Sequence, residues 1–280
     1  MSTTRDRRSR AASAVLVLTE TRYLEQRQPS GLVAALRARG LTAHVVDPAL
    51  DPGAVHLGGG VAVARGRSPA VLAALEHLEA RGVTVVNRAD AIRAVVDKAA
   101  MAERLAAAGV PGPATRVVAR ADVERVLSGG PFPMVLKPVH GDNSRGVVIV
   151  RDAAALRALR WEEPVALAQP YIEGDGRDLK LYVAGERVWA VRKASPLLDP
   201  DWRRAPAEIV PLDARLRELA LDCGRPFGLA LYGVDCVLGP GGPAVIEVND
   251  FPNYSGIAEA DEALAAVVAA SVEPGSEVRP

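Results

Sequence analysis

The sequence lacks the features that mark several large classes of protein. It has only two cysteines, Cys223 and Cys236, among 280 residues, which excludes a disulfide framework and makes a reducing cytoplasm the expected compartment. Lysine plus arginine and aspartate plus glutamate each number 34, so the overall charge favours neither nucleic acid nor an anionic membrane as a partner. No apolar segment is long enough to cross a membrane as a helix. We therefore expect a soluble cytoplasmic α/β protein.

The first third of the chain lacks a phosphate-binding loop of the dinucleotide type. Its apolar runs alternate with helical segments, which predicts a small parallel sheet. The predicted strands are Ala14–Thr19, Leu41–Asp47, Val61–Ala64 and Val83–Asn87. No GxGxxG motif follows any of them, so a dinucleotide-binding fold is not indicated.

The two ends of the chain show no core-forming pattern. Residues 1–12 are basic, and the apolar run AVLVL after them is too short for the core of a typical signal peptide. We expect a disordered arm there and a loose tail at 273–280. From about residue 89, paired antiparallel-looking strands replace the alternating pattern. We therefore predict an N-terminal α/β domain at 13–88 and an α+β domain at 89–272.

Two apolar strands near the C-terminal end each carry a single acid. LYGVDCVL (Leu231–Leu238) contains Asp235, the run PAVIEVND contains Glu247, and GPGGP between them predicts a hairpin loop. If pairing is symmetric about Gly241, Asp235 lies opposite Glu247, and Asn249 shares their face. Opposed carboxylates repel unless a cation lies between them, and all-oxygen ligation suits Mg²⁺ or Mn²⁺. Two solvated acids on an edge hairpin are the alternative, which the apolar flanking residues disfavour.

Three features of the middle of the chain could meet an anion. Lys137 lies inside the apolar strand MVLKPV, where a buried ammonium is costly without an anionic partner. The loop HGDNSRG (His140–Gly146) offers backbone N–H groups, although such residues are also ordinary in turns. Lys98 opens a helix otherwise rich in Ala, Met and Leu, and it could equally be a solvated helix lysine. His140 alone is more often structural than catalytic.

A second hairpin carries a polar face. With Gly185–Glu186 as a two-residue turn, Asp178 lies opposite Lys193 and Lys180 shares their face. Arg192 points the other way in this register, and a slip of one residue would exchange Arg192 with Lys193. The face suits a polar ligand, and a surface salt-bridge ladder is the alternative.

Taken in order, these residues resemble the ATP-grasp superfamily. The resemblance covers about residues 87–256 and rests on Lys98, PFPMVLKP, a glycine-bearing loop, QPYI, DLKLYVAG, GVD and EVN. It implies a small N-terminal domain followed by two α+β subdomains that sandwich ATP. The ATP-lid subdomain is expected at about 112–168 and the metal-binding subdomain at about 169–272. The first domain is expected to help shape the substrate cleft.

The resemblance also implies roles for individual residues. The ATP-binding set is Lys98, Lys137, His140, Gly141, Ser144, Gln169, Pro170, Tyr171, Ile172 and Asp178. Within this set the two lysines bind the phosphates, Gln169 to Ile172 form the hinge that reads adenine, and Asp178 meets the ribose. Asp235, Glu247 and Asn249 hold one or two Mg²⁺ ions. The catalytic cations are Lys180, Arg192 and Lys193.

Two branches of the superfamily share further motifs with this sequence. The RimK-like amino-acid ligases share EVN and the following Pro and Gly-Ile, and they join a carboxylate to an amine through an acyl phosphate. The inositol trisphosphate kinases share motifs at residues 131–138, 140–144, 180–185 and 249–254. The ligase loop usually has glycine where Ser144 stands, and the kinases have aspartate at the position of Glu247.

The expected partners separate the alternatives. A ligase acts on a small carboxylate and an amine, whereas the kinase acts on a polyol phosphate and needs a dense basic pocket. The N-terminal domain offers only scattered arginines, such as Arg22 and Arg27, and the net charge is zero, so we favour the ligase. An ATP-binding protein without turnover is disfavoured by the complete metal set. A homo-oligomer is possible, and the loops at 23–31 and 195–206 are expected to select the substrate.

Overall fold

The computed structural model describes residues 14–56, 60–141 and 144–272. The predicted arm at 1–12 and tail at 273–280 lie outside these ranges. The strands are β1 Ala14–Thr19, β2 Thr42–Val46, β3 Val61–Arg65, β4 Thr84–Val86, β5 Arg116–Ala119, β6 Met134–Pro138, β7 Val148–Val150, β8 Val165–Pro170, β9 Arg177–Ala184, β10 Arg187–Ala194, β11 Glu208–Val210, β12 Leu231–Gly239 and β13 Gly242–Asp250. The α-helices are α1 Arg27–Ala38, α2 Pro69–Ala80, α3 Ala89–Val96, α4 Lys98–Ala107, α5 Val123–Leu127, α6 Ala153–Ala158, α7 Ala214–Gly224 and α8 Ala260–Ala270.

The described chain forms two compact units. Unit 1 contains the segment up to Val86 together with the segment from Glu259, and unit 2 runs from Asn87 to Ala258. Helix α8 therefore belongs to unit 1, whereas the sequence interpretation assigned it to the domain at 89–272. Its apolar stripe explains the placement, because Leu264 and Val268 are fully buried and α8 packs against α1.

Unit 1 is built on a parallel sheet with strand order β2-β1-β3-β4. The two central strands, β1 and β3, are apolar and buried almost throughout, as parallel strands covered on both faces usually are. Ser68 begins α2, since its Oγ accepts a hydrogen bond from the N–H of Val71 at 3.3 Å and Pro69 follows. The predicted parallel sheet is confirmed, and its strand ends differ from the predicted ones by a residue at most.

Unit 2 contains two antiparallel sheets. One has the order β5-β8-β6-β7 and the other the order β11-β10-β9-β12-β13. Alternation along the second sheet sends one set of side chains against α3, α4 and α7, where they form a core with Met101, Leu219 and Cys223. The sheet residues in that core include Leu179, Leu181, Val183, Val234, Cys236, Val245 and Val248. The opposite face of this sheet carries Asp178 and Lys180 together with the buried Tyr182 and Val191.

Some elements of unit 2 were not predicted. Helices α3 and α5 and strand β11 contain only eight, five and three residues, too few for a strong periodic signal. Cys223 and Cys236 are both free and buried, in agreement with the expected lack of a disulfide framework. Among the described residues no helix has both the length and the apolar character needed to cross a membrane.

Candidate active site

The β12–β13 hairpin has the predicted register around its two acids. Asp235 of β12 pairs with Glu247 of β13, and Gly233 pairs with Asn249. The loop is shorter than GPGGP suggested, since the strands continue to Gly239 and resume at Gly242. Asp235 and Glu247 therefore lie side by side on neighbouring strands, as predicted.

A β-bulge sets the faces of this hairpin. Cys236 pairs with Val245 while Asp235 pairs with Glu247, so Ile246 is the extra residue on β13. Val245 and Val248 both enter the core. Ile246 and Glu247, which lie between them in sequence, both line a cleft. Without the bulge, strict alternation would send Val245 and Glu247 to the same face.

Strand β9 adds a lysine to the row of acids. Lys180 pairs with Asp235 across β9 and β12, and its Nζ lies 2.9 Å from Asp235 Oδ1 and 3.9 Å from Asp178 Oδ2. Burial by itself would lower the pKa of Lys180, but Asp235 and Asp178 outweigh it and raise that pKa. Lys180 is therefore a charged partner of two carboxylates in this state.

Lys98 approaches the same acids from helix α4. Asp97 caps that helix, because its Oδ1 accepts hydrogen bonds from the N–H groups of Ala99 and Ala100 at 2.9 and 3.0 Å. The cap fixes Lys98 as the first helical residue and buries it. Its Nζ lies 2.6 Å from Glu247 Oε1 and donates to the carbonyl of Gly141 at 3.0 Å.

Lys137 lies in the middle of β6 and is 7% exposed. Its Nζ donates a hydrogen bond to the carbonyl of Ile246 at 3.1 Å. Burial lowers the pKa of Lys137 to about 8, while Glu247 opposes this shift and Lys98 adds to it. The charged form of Lys137 is thus disfavoured by burial more than Glu247 stabilises it, and an anion nearby would stabilise this ammonium group.

Some of these groups open into one cleft between the two sheets of unit 2. Its empty space, including the open mouth, is about 850 Å³. Lys98, Lys137 and Glu247 line one part of it. Residues 169–172 line another part, where β8 ends and the N–H of Tyr171 donates to the carbonyl of Pro133 at 3.0 Å. Gly141 and Ser144 also line the cleft.

Asp178 lies on the cleft wall and is 5% exposed. Burial raises the pKa of its carboxyl, and Lys180 and a hydrogen bond from Ser195 act against that rise. Ser195 lines the cleft beside it. An acid in such a position is well suited to accept hydrogen bonds from a polyol such as a sugar ring.

The comparisons with known proteins agree with this architecture. Residues 95–271 match the model of the RimK-like ATP-grasp domain. The chain belongs to the RimK-like ATP-grasp family. A probable alpha-L-glutamate ligase of Stenotrophomonas maltophilia (strain R551-3) is 32% identical over 273 residues, covering 87% of this chain and 91% of the relative. The predicted family is therefore confirmed.

Two solved structures show the same fold. A RimK domain ATP-grasp protein from Sphaerobacter thermophilus DSM 20745 superposes with a TM-score of 0.71 at 26% identity, covering 92% of this chain and 99% of that one. The ATP-grasp ligase PsnB, solved with a minimal precursor, Mg and ADP, gives a TM-score of 0.70 at 18% identity, covering 92% of this chain and 98% of that one. The predicted ATP-grasp fold is confirmed, and this RimK-like protein is an enzyme of the carboxylate–amine ligase class.

The predicted metal residues of the RimK-like enzyme form an all-oxygen set. Asn249 Nδ2 lies 3.4 Å from Asp235 Oδ2, so the amide and the two carboxylates converge. No group of three or more His, Cys, Asp or Glu side chains in the described ranges could hold a metal ion. Each carboxylate already faces an ammonium group, of Lys180 or of Lys98. The donor chemistry fits Mg²⁺ with further oxygens from water or phosphate.

The structure does not bring every predicted site residue of the RimK-like enzyme to the cleft. Arg192 lies on the core side of β10 and pairs with Asp175, as the predicted hairpin register required. His140 is exposed and is not part of the described cleft wall. Lys193 pairs with Asp178 in register and is half-buried, and burial followed by Lys180 lowers its pKa. Like Lys180, Asp235 and Asn249, it lies outside the described lining of the cleft.

Several residues that shape the cleft were not singled out from sequence. Val135, Val237 and Ile246 form its apolar wall, and Arg145 lines it from the loop after β6. An apolar residue in a strand gives no signal that separates a cleft wall from a core. Arg145 lies within the HGDNSRG motif, so its position in a glycine-bearing loop was the available signal.

Proposed function

We propose that this RimK-like enzyme uses ATP and Mg²⁺ to activate a carboxylate as an acyl phosphate and joins it to the amino group of an acidic amino acid. L-glutamate is the first candidate, because the relative from Stenotrophomonas is named a probable alpha-L-glutamate ligase. The observation that carries the proposal is the pairing of Asp235 with Glu247, together with the position of Glu247 on the wall of a cleft that Lys98 and Lys137 also line.

The residues that line the cleft suit a nucleotide that lies along it. The segment 169–172 is the end of a strand and offers backbone groups and apolar side chains, which suit a flat base. Asp178 is positioned to accept hydrogen bonds from ribose hydroxyls. At the far part of the cleft, Lys98 and Lys137 supply two buried positive charges for phosphate oxygens.

Asp235, Glu247 and Asn249 are the residues proposed to hold Mg²⁺. When bound there, the ion neutralises phosphate charge and orients the terminal phosphate for in-line attack. Lys98 pairs with Glu247, and Lys180 pairs with Asp235. We infer that Lys98 turns from Glu247 towards the nucleotide phosphates when ATP binds. Lys180 stays beside Asp235 and continues to offset its negative charge.

The proposed chemistry has two steps. A carboxylate oxygen of the first substrate attacks the γ-phosphorus of ATP, which forms the acyl phosphate and releases ADP. The neutral amino nitrogen of the second substrate then attacks the acyl carbon, and the bond from that carbon to the phosphate oxygen breaks. The departing phosphate takes up the proton that the nitrogen loses, which leaves the amide and hydrogen phosphate. Lys180, and Lys193 on the same face of the sheet, supply positive charge near the acyl phosphate. Arg192, which faces Asp175 instead, is not given a role.

The compartment proposed for this reaction is the cytoplasm. Cys223 and Cys236 are both free thiols, and ATP is plentiful in a reducing interior. Burial raises the pKa of Cys223 to about 12, so its thiol is protonated and inert rather than a nucleophile.

The test measures phosphate release with ATP, Mg²⁺ and pooled carboxylates and amino acids. Release that requires both an acid and an amine, with the amide detected by mass spectrometry, supports the proposal. Transfer of the γ-phosphoryl group to a hydroxyl, followed by ³¹P NMR and without free phosphate, would establish the kinase alternative instead. Tight ATP binding with no turnover for any pair would leave only a nucleotide-binding role.

A further inference from the structure

The polar face of the five-stranded sheet continues beyond the acids and lysines described so far. Along β9, Asp178, Lys180 and Tyr182 are alternate residues, so all three point to this face. Neighbours in this series are about 7 Å apart along the strand, since each strand residue adds about 3.3 Å. Asp178 lines the cleft, and Lys180 pairs with Asp235. Tyr182 therefore lies on the far side of Lys180 from Asp178.

Tyr182 leans across the sheet towards the strand that carries Asn249. It pairs with Gly233 of β12, and Gly233 pairs with Asn249 of β13. The ring takes up the space that a side chain on Gly233 would need. A Cβ there would lie 3.3 Å from Tyr182 Cδ1 and 3.0 Å from Pro252 Cγ. The glycine thus lets the ring lie over β12, on the side of the predicted metal residues.

Packing fixes the ring of Tyr182. Its centroid lies 5.4 Å from that of the Tyr254 ring. Tyr254 is itself fully buried, and its hydroxyl donates a hydrogen bond to the carbonyl of Val183 at 2.5 Å. Tyr182 is 6% exposed. The surroundings therefore hold the Tyr182 hydroxyl at a defined point over the sheet.

The hydroxyl of Tyr182 is available to a ligand. It has no hydrogen-bond partner in the part of the chain that the structure describes. It is not one of the fully enclosed polar atoms without a partner in those residues, so the exposed part of the side chain includes this oxygen. Lys180 and Asp235 both act electrostatically on it. An accessible hydroxyl on a buried tyrosine is suited to donate a hydrogen bond to a bound molecule.

The order of residues along the sheet matches the order of groups in the proposed reaction. The ribose is assigned to Asp178, and the terminal phosphate to the metal residues Asp235 and Glu247. In-line attack brings the nucleophile to phosphorus from the side opposite the departing ADP. That side is the one on which Tyr182 lies. The acyl substrate therefore approaches over this part of the sheet.

We propose that the Tyr182 hydroxyl donates a hydrogen bond to the carboxylate of the acyl substrate, at the oxygen that does not attack phosphorus. This rests on the proposed ligase function. In the acyl phosphate that oxygen is the carbonyl oxygen, and it gains negative charge when the amine attacks the acyl carbon. The same hydrogen bond then stabilises the charge. A phenol is protonated at neutral pH, and Tyr182 keeps its proton through both steps.

A binding measurement tests the hydroxyl without turnover. Ligand-observed NMR titrates pooled N-acetyl amino acids, which carry a free carboxylate, onto the full chain with Mg²⁺ and a non-hydrolysable ATP analogue. We expect at least one acid to bind, and Tyr182→Phe to weaken that binding at least tenfold. Affinity for the analogue should stay within twofold, because the phenyl ring can still pack on Tyr254. Binding of no acid by the wild type, or equal binding by Tyr182→Phe, would overturn the proposal.

Tyr232→Phe is the matched control. It removes a hydroxyl from the neighbouring strand of the same sheet, but Tyr232 faces the core and donates to the carbonyl of Ala220 at 2.9 Å. The substitution should lower the thermal midpoint and leave binding of the acid unchanged. An equal loss of acid binding in Tyr232→Phe would show a general effect on the sheet and contradict the role of Tyr182.

Kinetics separate this inference from the proposed function. In the ligase assay, Tyr182→Phe should lower kcat at least tenfold at saturating acid and leave KM for ATP as it was. Unchanged kcat and KM for the acid would overturn the inference while the ligase function stands. A parallel loss of nucleotide affinity and thermal stability would do the same, since it would indicate a structural role. Absence of turnover together with Tyr182-dependent binding of an acid would overturn the ligase proposal alone.

Discussion

Lys137 donates a hydrogen bond from Nζ to the carbonyl of Ile246 at 3.1 Å, and Ile246 is the extra residue of the bulge that turns Glu247 into the cleft. The extra residue of a bulge is left out of the ladder, so its carbonyl needs another partner. Lys137 provides that partner from the other sheet. The lysine therefore supports the geometry of Glu247 as well as offering charge to a ligand.

The pKa of Lys137 predicts that ATP binding takes up a proton. The pKa is about 8 in the ligand-free protein, so at pH 8.5 most molecules have a neutral Lys137 amine. Phosphate oxygens favour the ammonium form and raise that pKa, so binding draws a proton from the buffer. The apparent affinity for MgATP should consequently fall as pH rises above about 8. Calorimetry at pH 8.5 in buffers of different ionisation enthalpy measures the uptake.

Lys137→Arg is the control for that measurement. Arginine keeps the positive charge but does not titrate in this range, so the dependence on buffer at pH 8.5 should disappear while binding persists. At pH 6.5 the wild type should also show no uptake from this residue, because Lys137 is already charged. Uptake of the same size in Lys137→Arg would assign the proton to another group.

Glu247→Gln should abolish turnover and leave the fold intact. The substitution removes one of the two opposed carboxylates but keeps the size of the side chain, and Lys98 loses an ion pair. We expect phosphate release to fall at least 100-fold, with a thermal midpoint within a few degrees of the wild type. Glu103→Gln, on the exposed side of α4, is the control and should keep full activity. Normal turnover in Glu247→Gln would remove this residue from the metal set.

The predicted register of the β12–β13 hairpin is correct at its two acids, although the position of the turn and the bulge were not predicted. Symmetric pairing about Gly241 predicted the pair Asp235–Glu247, but the turn lies between Gly239 and Gly242. The bulge at Ile246 shifts the register back by one residue, so the two errors cancel near the acids and do not cancel closer to the turn. A bulge depends on contacts from other strands, such as the bond from Lys137, and so a hairpin sequence read alone does not contain it.

Long-range contacts limited the sequence interpretation elsewhere too. Lys98 and Lys137 could be selected because charge in an apolar setting is visible locally. The guanidinium groups of Arg22 and Arg65 both lie over the Tyr23 ring; this depends on the parallel pairing of β1 with β3, because the two arginines are 43 positions apart in sequence. Helix α8 likewise belongs to unit 1 because it packs on α1. The sequence of α8 alone predicts a buried face but does not indicate which helix covers it.

Asn87 should be a large contributor to the stability of unit 2. It is 4% exposed, accepts hydrogen bonds from the N–H groups of Ala230 and Leu231 at 2.8 and 3.1 Å, and donates to the Leu231 carbonyl at 2.7 Å. Asn87→Ala takes the acceptor from the buried N–H groups of Ala230 and Leu231, at a cost of about 3 kcal/mol, while the Leu231 carbonyl still accepts from the N–H of Phe251. Chemical denaturation measures the loss. Hydrogen exchange should be faster at the Ala230 and Leu231 amides, and unchanged exchange there would contradict the role.

The Lys180–Asp235 pair predicts that a metal ion can replace an ammonium group. Lys180→Met leaves Asp235 and the deeply buried Asp178 without their shared cation, which should destabilise the protein by about 3 kcal/mol. Mg²⁺ binding near Asp235 supplies positive charge, so it should raise the thermal midpoint of this variant by more than that of the wild type. The double variant Lys180→Met/Asp235→Asn removes one of the uncompensated carboxylates, and it should be more stable than Lys180→Met and respond less to Mg²⁺. If the single and double variants unfold at the same temperature with the same response to Mg²⁺, Asp235 is neither the main partner of Lys180 nor a metal ligand. Because stability is measured here without ATP, this outcome is independent of the reaction that the enzyme catalyses.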